Sequence, residues 1–160
     1  SMGIGAAMTS IIAQNIGAKQ IDRAKETIKE AKVLVWITSI IGILILVFFT
    51  DGVLSIFVNK AKEPAVFAHA LDYMKYDIFM IPPMGLFNIY LGIFQGTGKT
   101  RYSMNMSMGR LWFIRIPMVL LLKYFTTIEQ TGIWISMLVS NILIIVYALF
   151  IFKTKKIIED

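Results

Sequence analysis

Apolar and polar residues follow one another along this chain in blocks. Three uncharged, strongly apolar stretches, 33–50, 78–98 and 131–152, hold 18, 21 and 22 residues. About 20 residues rising 1.5 Å each cross the ~30 Å hydrocarbon core of a bilayer, so each stretch can span one. A fourth, 102–122, has the length but carries Arg110 and Arg115. A fifth, 1–18, is uncharged and rich in Gly, Ala, Ser and Thr, which suits packing against protein more than lipid. The pattern predicts an all-α fold, a polytopic transmembrane helix bundle of about five spans.

The connections carry their own periodicity. Ile21, Ala24, Ile28 and Ala31 recur at helical spacing with charges between them. This predicts an amphipathic helix on the membrane surface that bends into the second span at Val33. Segment 51–77 reads as a short interfacial turn through Val53, Leu54, Ile56 and Phe57, then a loop ending at Pro64 and the start of the third helix. No internal repeat or low-complexity tract interrupts the pattern.

Composition sharpens the reading. Only 16% of the 160 residues are charged, against roughly 25% in soluble domains, so the ionic groups are too few to clothe a water-soluble globule and the lipid bilayer is the expected partner. The net charge is +6, but the basic residues flank apolar runs without aromatic interleaving on a polar face, which excludes a nucleic-acid surface. Lys19, Arg23, Lys25, Lys29 and Lys32, then Lys99 and Arg101, then Lys153, Lys155 and Lys156 fall on alternate connections. The other connections hold only Lys60, Lys62, Lys75 and Lys123. The positive-inside rule therefore places the first set and the C-terminus in the cytoplasm, with an external N-terminus, as expected of a piece whose preceding helices lie elsewhere. There is no cysteine and a single histidine, His69, so disulfides, thiolate chemistry and a histidine metal site are excluded. No nucleophile, base and orienting group share a recognisable spacing, so no enzyme activity, metal or cofactor is expected.

Several motifs have competing readings. Gln95-Gly96-Thr97-Gly98-Lys99-Thr100 ends like a phosphate-binding loop, but the required earlier glycine is replaced by Ile93, with Gly92 one residue out of register, and no strand precedes it. It reads instead as a tight turn between two spans. In the third span Met84, Asn88, Leu91 and Gln95 fall on one stripe, with Asp77 and Met80 close to it. Met84, Asn88 and Gln95 either bond a neighbouring helix or line a substrate cavity. Pro82 and Pro83 remove two backbone donors and predict a kink, a structural or gating feature. Arg110 is expected to snorkel to the cytoplasmic headgroups. Arg115 lies deeper and needs an interior partner, structural or gating. Ten methionines suit either gap filling or a surface for varied apolar ligands. Gly92 and Gly96, one turn apart, allow close helix approach.

Three segments together resemble the C-terminal half of the multidrug and toxic compound extrusion (MATE) transporters. Gly5-Ala6-Ala7 with Gln14-Asn15-Ile16-Gly17-Ala18 and Arg23-Ala24 is similar to the family's small-residue helix and its Gln-x-x-Gly-Ala turn. Phe94-Gln95-Gly96-Thr97-Gly98-Lys99-Thr100 is similar to the turn closing the fourth helix of a lobe, and Arg110-Leu111-Trp112 with Arg115-Ile116-Pro117 to the helix after it. The resemblance implies a share of a twelve-helix, two-lobe secondary transporter in the plasma membrane. Such a protein exports cationic or amphipathic small molecules by proton or sodium antiport, and this chain would form five helices of its second six-helix lobe. The coupling ion is then expected in the missing N-terminal lobe, because Met84 stands where some members carry a membrane-embedded acid and 78–98 contains none. A flippase for lipid-linked oligosaccharide or polysaccharide, of the same broad superfamily, and a non-transporting membrane scaffold are the alternatives.

Overall fold

A computed structural model of the chain describes residues 2–58, 62–125, 129–155 and 157–158. The described residues form an all-α helix bundle, as the hydropathy blocks require: inside lipid the backbone must satisfy its own polar groups, and helices do so within one segment. The elements are α1 (Met2–Gly17), α2 (Ile21–Phe57), α3 (Pro64–Gly96), α4 (Thr100–Met108), a π-helical turn (Gly109–Arg115), α5 (Ile116–Phe125) and α6 (Glu129–Thr154). The π turn joins α4 and α5 into one rod. By length and composition Ile21–Phe57, Pro64–Gly96 and Gln130–Thr154 are each able to cross a membrane.

α3 is the central helix and packs on α1, α2, α4 and α6. Its buried residues include Phe87, Ile89, Tyr90, Ile93 and Phe94, which meet Met8 and Ile12 of α1, Met106 of α4 and Ile144 and Ala148 of α6. Ile157 and Ile158 of the tail fold back into the same core. The other end of α3 is tied to α6 by Trp134, whose ring lies 5.9 Å from Tyr73 and 5.3 Å from Tyr76.

Two expectations are corrected here. The amphipathic segment is not a separate helix that bends into the span at Val33. Ala24, Ile28, Ala31 and Val35 are buried along one continuous helix, because the apolar stripe continues in phase into the span and finds protein to pack on. Lys32 at this level lays its ammonium 5.2 Å from the Tyr90 ring centre and 5.8 Å from that of Phe152, keeping a cation beside aromatic faces. The interfacial turn expected at 53–57 is likewise the end of α2. The departure from helical backbone in α2 comes at Phe49 (φ −121°, ψ 19°), where the Thr50 hydroxyl donates to the Leu46 carbonyl, a local bond that competes with the helix ladder and bends it.

α3 begins at Pro64, a residue suited to a first turn that has no carbonyl to bond. It runs unbroken through Pro82 and Pro83. A change from the regular α-helical ladder appears in the next rod. Pro117 cannot donate to Phe113, and its ring crowds that carbonyl. The ladder widens just before it, with the Ile116 N–H reaching back to Leu111.

Candidate functional site

The contact between α1 and α3 is made by glycines. A Cβ on Gly5 would lie 2.8 Å from the Asn88 carbonyl oxygen, and one on Gly96 would lie 2.7 Å from that of Thr9. One on Gly92 would press on the Gly5 carbonyl oxygen itself. The two backbones therefore touch with no side chain between them. Asn88 is buried at this crossing and donates to the Met84 carbonyl at 2.9 Å. Gln95 is held from both sides: it accepts from the Thr9 hydroxyl at 3.4 Å and donates to Ser103 of α4 at 3.2 Å.

The turn residues that carry the resemblance cap these helices. The carbonyl of Gln14 accepts from the Ala18 N–H at 3.0 Å, just beyond Gly17, the last residue of α1. The chain then turns through Lys19 at φ 59°. Gly98, at φ 72°, makes the equivalent turn after α3, and its N–H donates to the Gln95 carbonyl at 3.0 Å. This is the tight turn expected in place of a phosphate loop.

Met84 belongs to a different group. Arg110 points inward: its Nη1 donates to the Met84 sulfur at 3.2 Å and to Asn141 Oδ1 at 3.4 Å, and its guanidinium carbon sits 4.1 Å from the Phe87 ring centre. The expectation that Arg110 snorkels to the headgroups is thus overturned. Arg115 finds the interior partners it needs in α6, donating through Nε to Ser140 at 3.1 Å and through Nη2 to Asn141 Oδ1 at 3.2 Å. Two guanidiniums share one amide oxygen. Asn141 and Ser140 are buried, and Ser136 lies one turn away with its hydroxyl bonded to the Gly132 carbonyl. Asn141 stands midway along α6 between Glu129 and Lys153, so the cluster occupies the middle of the bundle.

The π turn is what brings the arginines together. Residues five apart on an α-helix point about 140° away from each other, whereas a turn closed by i→i+5 bonds sets them on nearly the same side. Among the described residues no carboxylate pairs with either arginine. Asp77, the acid next to the third span, is engaged by the Tyr73 hydroxyl at 3.3 Å. Arg110 Nε is buried without a hydrogen-bond partner. Beside the cluster a cleft of about 340 Å³ opens between the π turn and α6, lined by Asn105, Met108, Gly109, Phe113, Ile144 and Tyr147 among others.

Sequence reasoning missed Arg110, Asn141, Ser140 and Phe87. Pro117 five residues after Trp112 was the available signal for the π turn, and Ser136, Ser140 and Asn141 recur at helical spacing in an otherwise apolar helix. The remaining candidates separate: Asn88 and Gln95 serve the α1 and α4 contacts, while Met84 meets Arg110. His69 is exposed, Asp72 is paired with Lys75 at 2.7 Å, and among the described residues no acid and histidine group could hold a metal.

Comparison with known proteins gives two matches. The MatE family model matches residues 1–121. The probable multidrug resistance protein YoeA of Bacillus subtilis (strain 168) is 27% identical over 164 aligned positions, covering 98% of this chain and 34% of that protein. The chain therefore spans about a third of the length of this relative. No solved structure matches it significantly.

Proposed function

Since the chain belongs to the MatE family, an integral membrane transporter family, we propose that it forms part of a secondary active efflux transporter working by alternating access. Its five rods are the spans of one lobe, in the plasma membrane with the C-terminus cytoplasmic, and a further N-terminal lobe completes the path. The substrates are cationic or amphipathic small molecules, in keeping with the multidrug resistance protein it resembles. Met84, Asn88 and Gln95 contribute part of the substrate surface. A proton or sodium ion drives exchange and binds in the other lobe, a reading supported by the absence of any acid in 78–98.

The observation that carries this reading is the polar cluster halfway along α6. Charged groups at bilayer depth are costly, and they recur where transporters bind and rearrange. The π turn and the bend at Phe49 supply places where helices can change shape without unfolding. A second reading, flipping of a lipid-linked oligosaccharide, gains from the second deep guanidinium, since a pyrophosphate headgroup needs several cations.

The test is uptake of a fluorescent lipophilic cation by proteoliposomes of the full-length protein under an imposed proton or sodium gradient. Gradient-driven uptake is expected, at least ten-fold slower in an Asn88→Ala/Gln95→Ala variant that remains folded, and still gradient-dependent in Asp77→Asn. Equal uptake in the double variant removes these contacts from the substrate path. Absence of any gradient-driven uptake favours the scaffold reading, and flipping of a labelled lipid diphosphate without cation uptake favours the flippase.

A further inference from the structure

We infer that Arg110 and Arg115 form a binding site for the anionic group, carboxylate or phosphate, of an amphipathic ligand whose apolar part lies in the adjoining cleft. The ligand is a substrate only if the transport reading holds; the site itself does not depend on it.

The hydrogen-bond inventory leads to this ligand. A guanidinium has five N–H donors arranged in forks that match a carboxylate or a phosphate. Arg115 uses its Nε and Nη2 fork on Ser140 and Asn141. Arg110 uses only Nη1, for Met84 and Asn141. Its Nε is buried and unpartnered, and an unsatisfied charged donor in a dry interior is costly. Phe87 covers one face of this guanidinium, which fixes the plane of the fork; its Nε is closed over by protein, so an oxyanion reaches it by displacing a neighbouring side chain.

Charge balance points the same way. Two cations meet at one neutral amide, with no acid beside them among the described residues. Each raises the energy of the other, and a single negative group placed between them relieves both. The position excludes a resting lipid headgroup: Asn141 is midway between the charged ends of α6, on the order of 15 Å from either membrane surface. The cleft beside the cluster supplies the rest of the ligand's surroundings. Gly109 in its wall precedes Arg110, Ile144 lies one turn from Asn141, and Phe113 and Tyr147 offer aromatic faces. The largely apolar wall suits the aromatic body of an amphipathic acid.

The experiment is calorimetric titration of the detergent-purified full-length protein with 1-naphthoate and with its neutral counterpart 1-naphthalenemethanol, alongside thermal melting with phosphatidylglycerol or phosphatidylcholine. Naphthoate is expected to bind at least ten-fold more tightly than the alcohol. Arg110→Gln removes that preference. Asn141→Asp also removes it, because the new carboxylate occupies both guanidiniums, and this variant keeps the fold that a lost arginine contact could disturb. Stabilisation by phosphatidylglycerol over phosphatidylcholine that is lost in the same variants would assign the anion to a bilayer lipid and overturn a mobile ligand. Equal binding of acid and alcohol, or an undiminished preference in Asn141→Asp, overturns the site. None of these readouts requires transport, so the site can fail while the efflux assay succeeds, and the reverse.

Discussion

Gly92→Ala is expected to destabilise the bundle by about 3 kcal/mol, the upper end of the usual cost of overpacking. The added Cβ meets the Gly5 carbonyl oxygen of α1 and lies 3.0 Å from the Met8 Cβ. A flexible side-chain tip could swing aside, but a helix backbone cannot, so α1 must move as a body away from α3. That movement would also open the neighbouring contacts, where Gly5 abuts Asn88 and Gly96 abuts Thr9 and Ile12. It would pull the Thr9 hydroxyl away from Gln95. The control is Gly42→Ala, where no atom lies within 4 Å of the new methyl. Thermal melting of the detergent-solubilised protein should show a large loss for Gly92→Ala and none for Gly42→Ala. A melting curve for Gly92→Ala matching the parent would mean that α1 does not sit directly on α3.

Asn141→Leu carries the second large effect, a loss of about 2–3 kcal/mol, the range for a hydrogen bond to a charged group left unmade. Leucine has the same four side-chain heavy atoms as asparagine and is the better helix former, so helix propensity does not account for a loss. What disappears is the oxygen shared by Arg110 and Arg115. Arg115 would keep Ser140 and Arg110 would keep Met84, but both charges would stay inside the bundle with fewer acceptors. Asn141→Asp should move stability the other way, since one carboxylate then faces two guanidiniums through charge-assisted bonds. Opposite signs for these two variants isolate the electrostatic role of the position. Melting curves in which leucine is neutral or stabilising would mean that the guanidiniums do not depend on Asn141.

These two predictions also mark where the sequence was informative and where it was not. Gly92 and Gly96 were legible as a close-packing pair because small residues one turn apart in an apolar helix leave few alternatives. The stripe Ala24, Ile28 and Ala31 was legible as an apolar face, but its partner was not: periodicity says which side is buried and never against what. Arg115 was legible as needing an interior partner on energetic grounds. Arg110 was not, because a regular helix phase sends the two arginines apart. Only the π turn ahead of Pro117 turns them together, and helix type is set by the competition between the proline and the ladder. The paired prolines in α3 looked the stronger disruption. α3 nonetheless continues through them, held by α1, α2 and α6 around it, which illustrates how tertiary packing overrides a local preference.

The long exposed apolar faces complete the physical account. Val33, Leu34, Ile37, Ile40, Ile41, Leu44 and Ile45 of α2 are each about half exposed, and so are Ile142, Leu143 and Val146 of α6. A water-soluble domain rarely leaves contiguous apolar surface on this scale. In a bilayer the same surface costs nothing, and it leaves the buried polar cluster as the costly, and therefore informative, part of the interior.

The central claim is that these rods cross a membrane, the arginine-bearing one included, and single-cysteine labelling tests it most directly. The chain contains no cysteine of its own, so each introduced thiol reports alone once any others in the full-length protein are removed. With Arg101→Cys, Lys155→Cys, Lys75→Cys and Lys123→Cys exposed in turn to a membrane-impermeant maleimide, the first two should label only from the cytoplasmic side and the last two only from the outside. Labelling of Arg101→Cys and Lys123→Cys from the same side would contradict it.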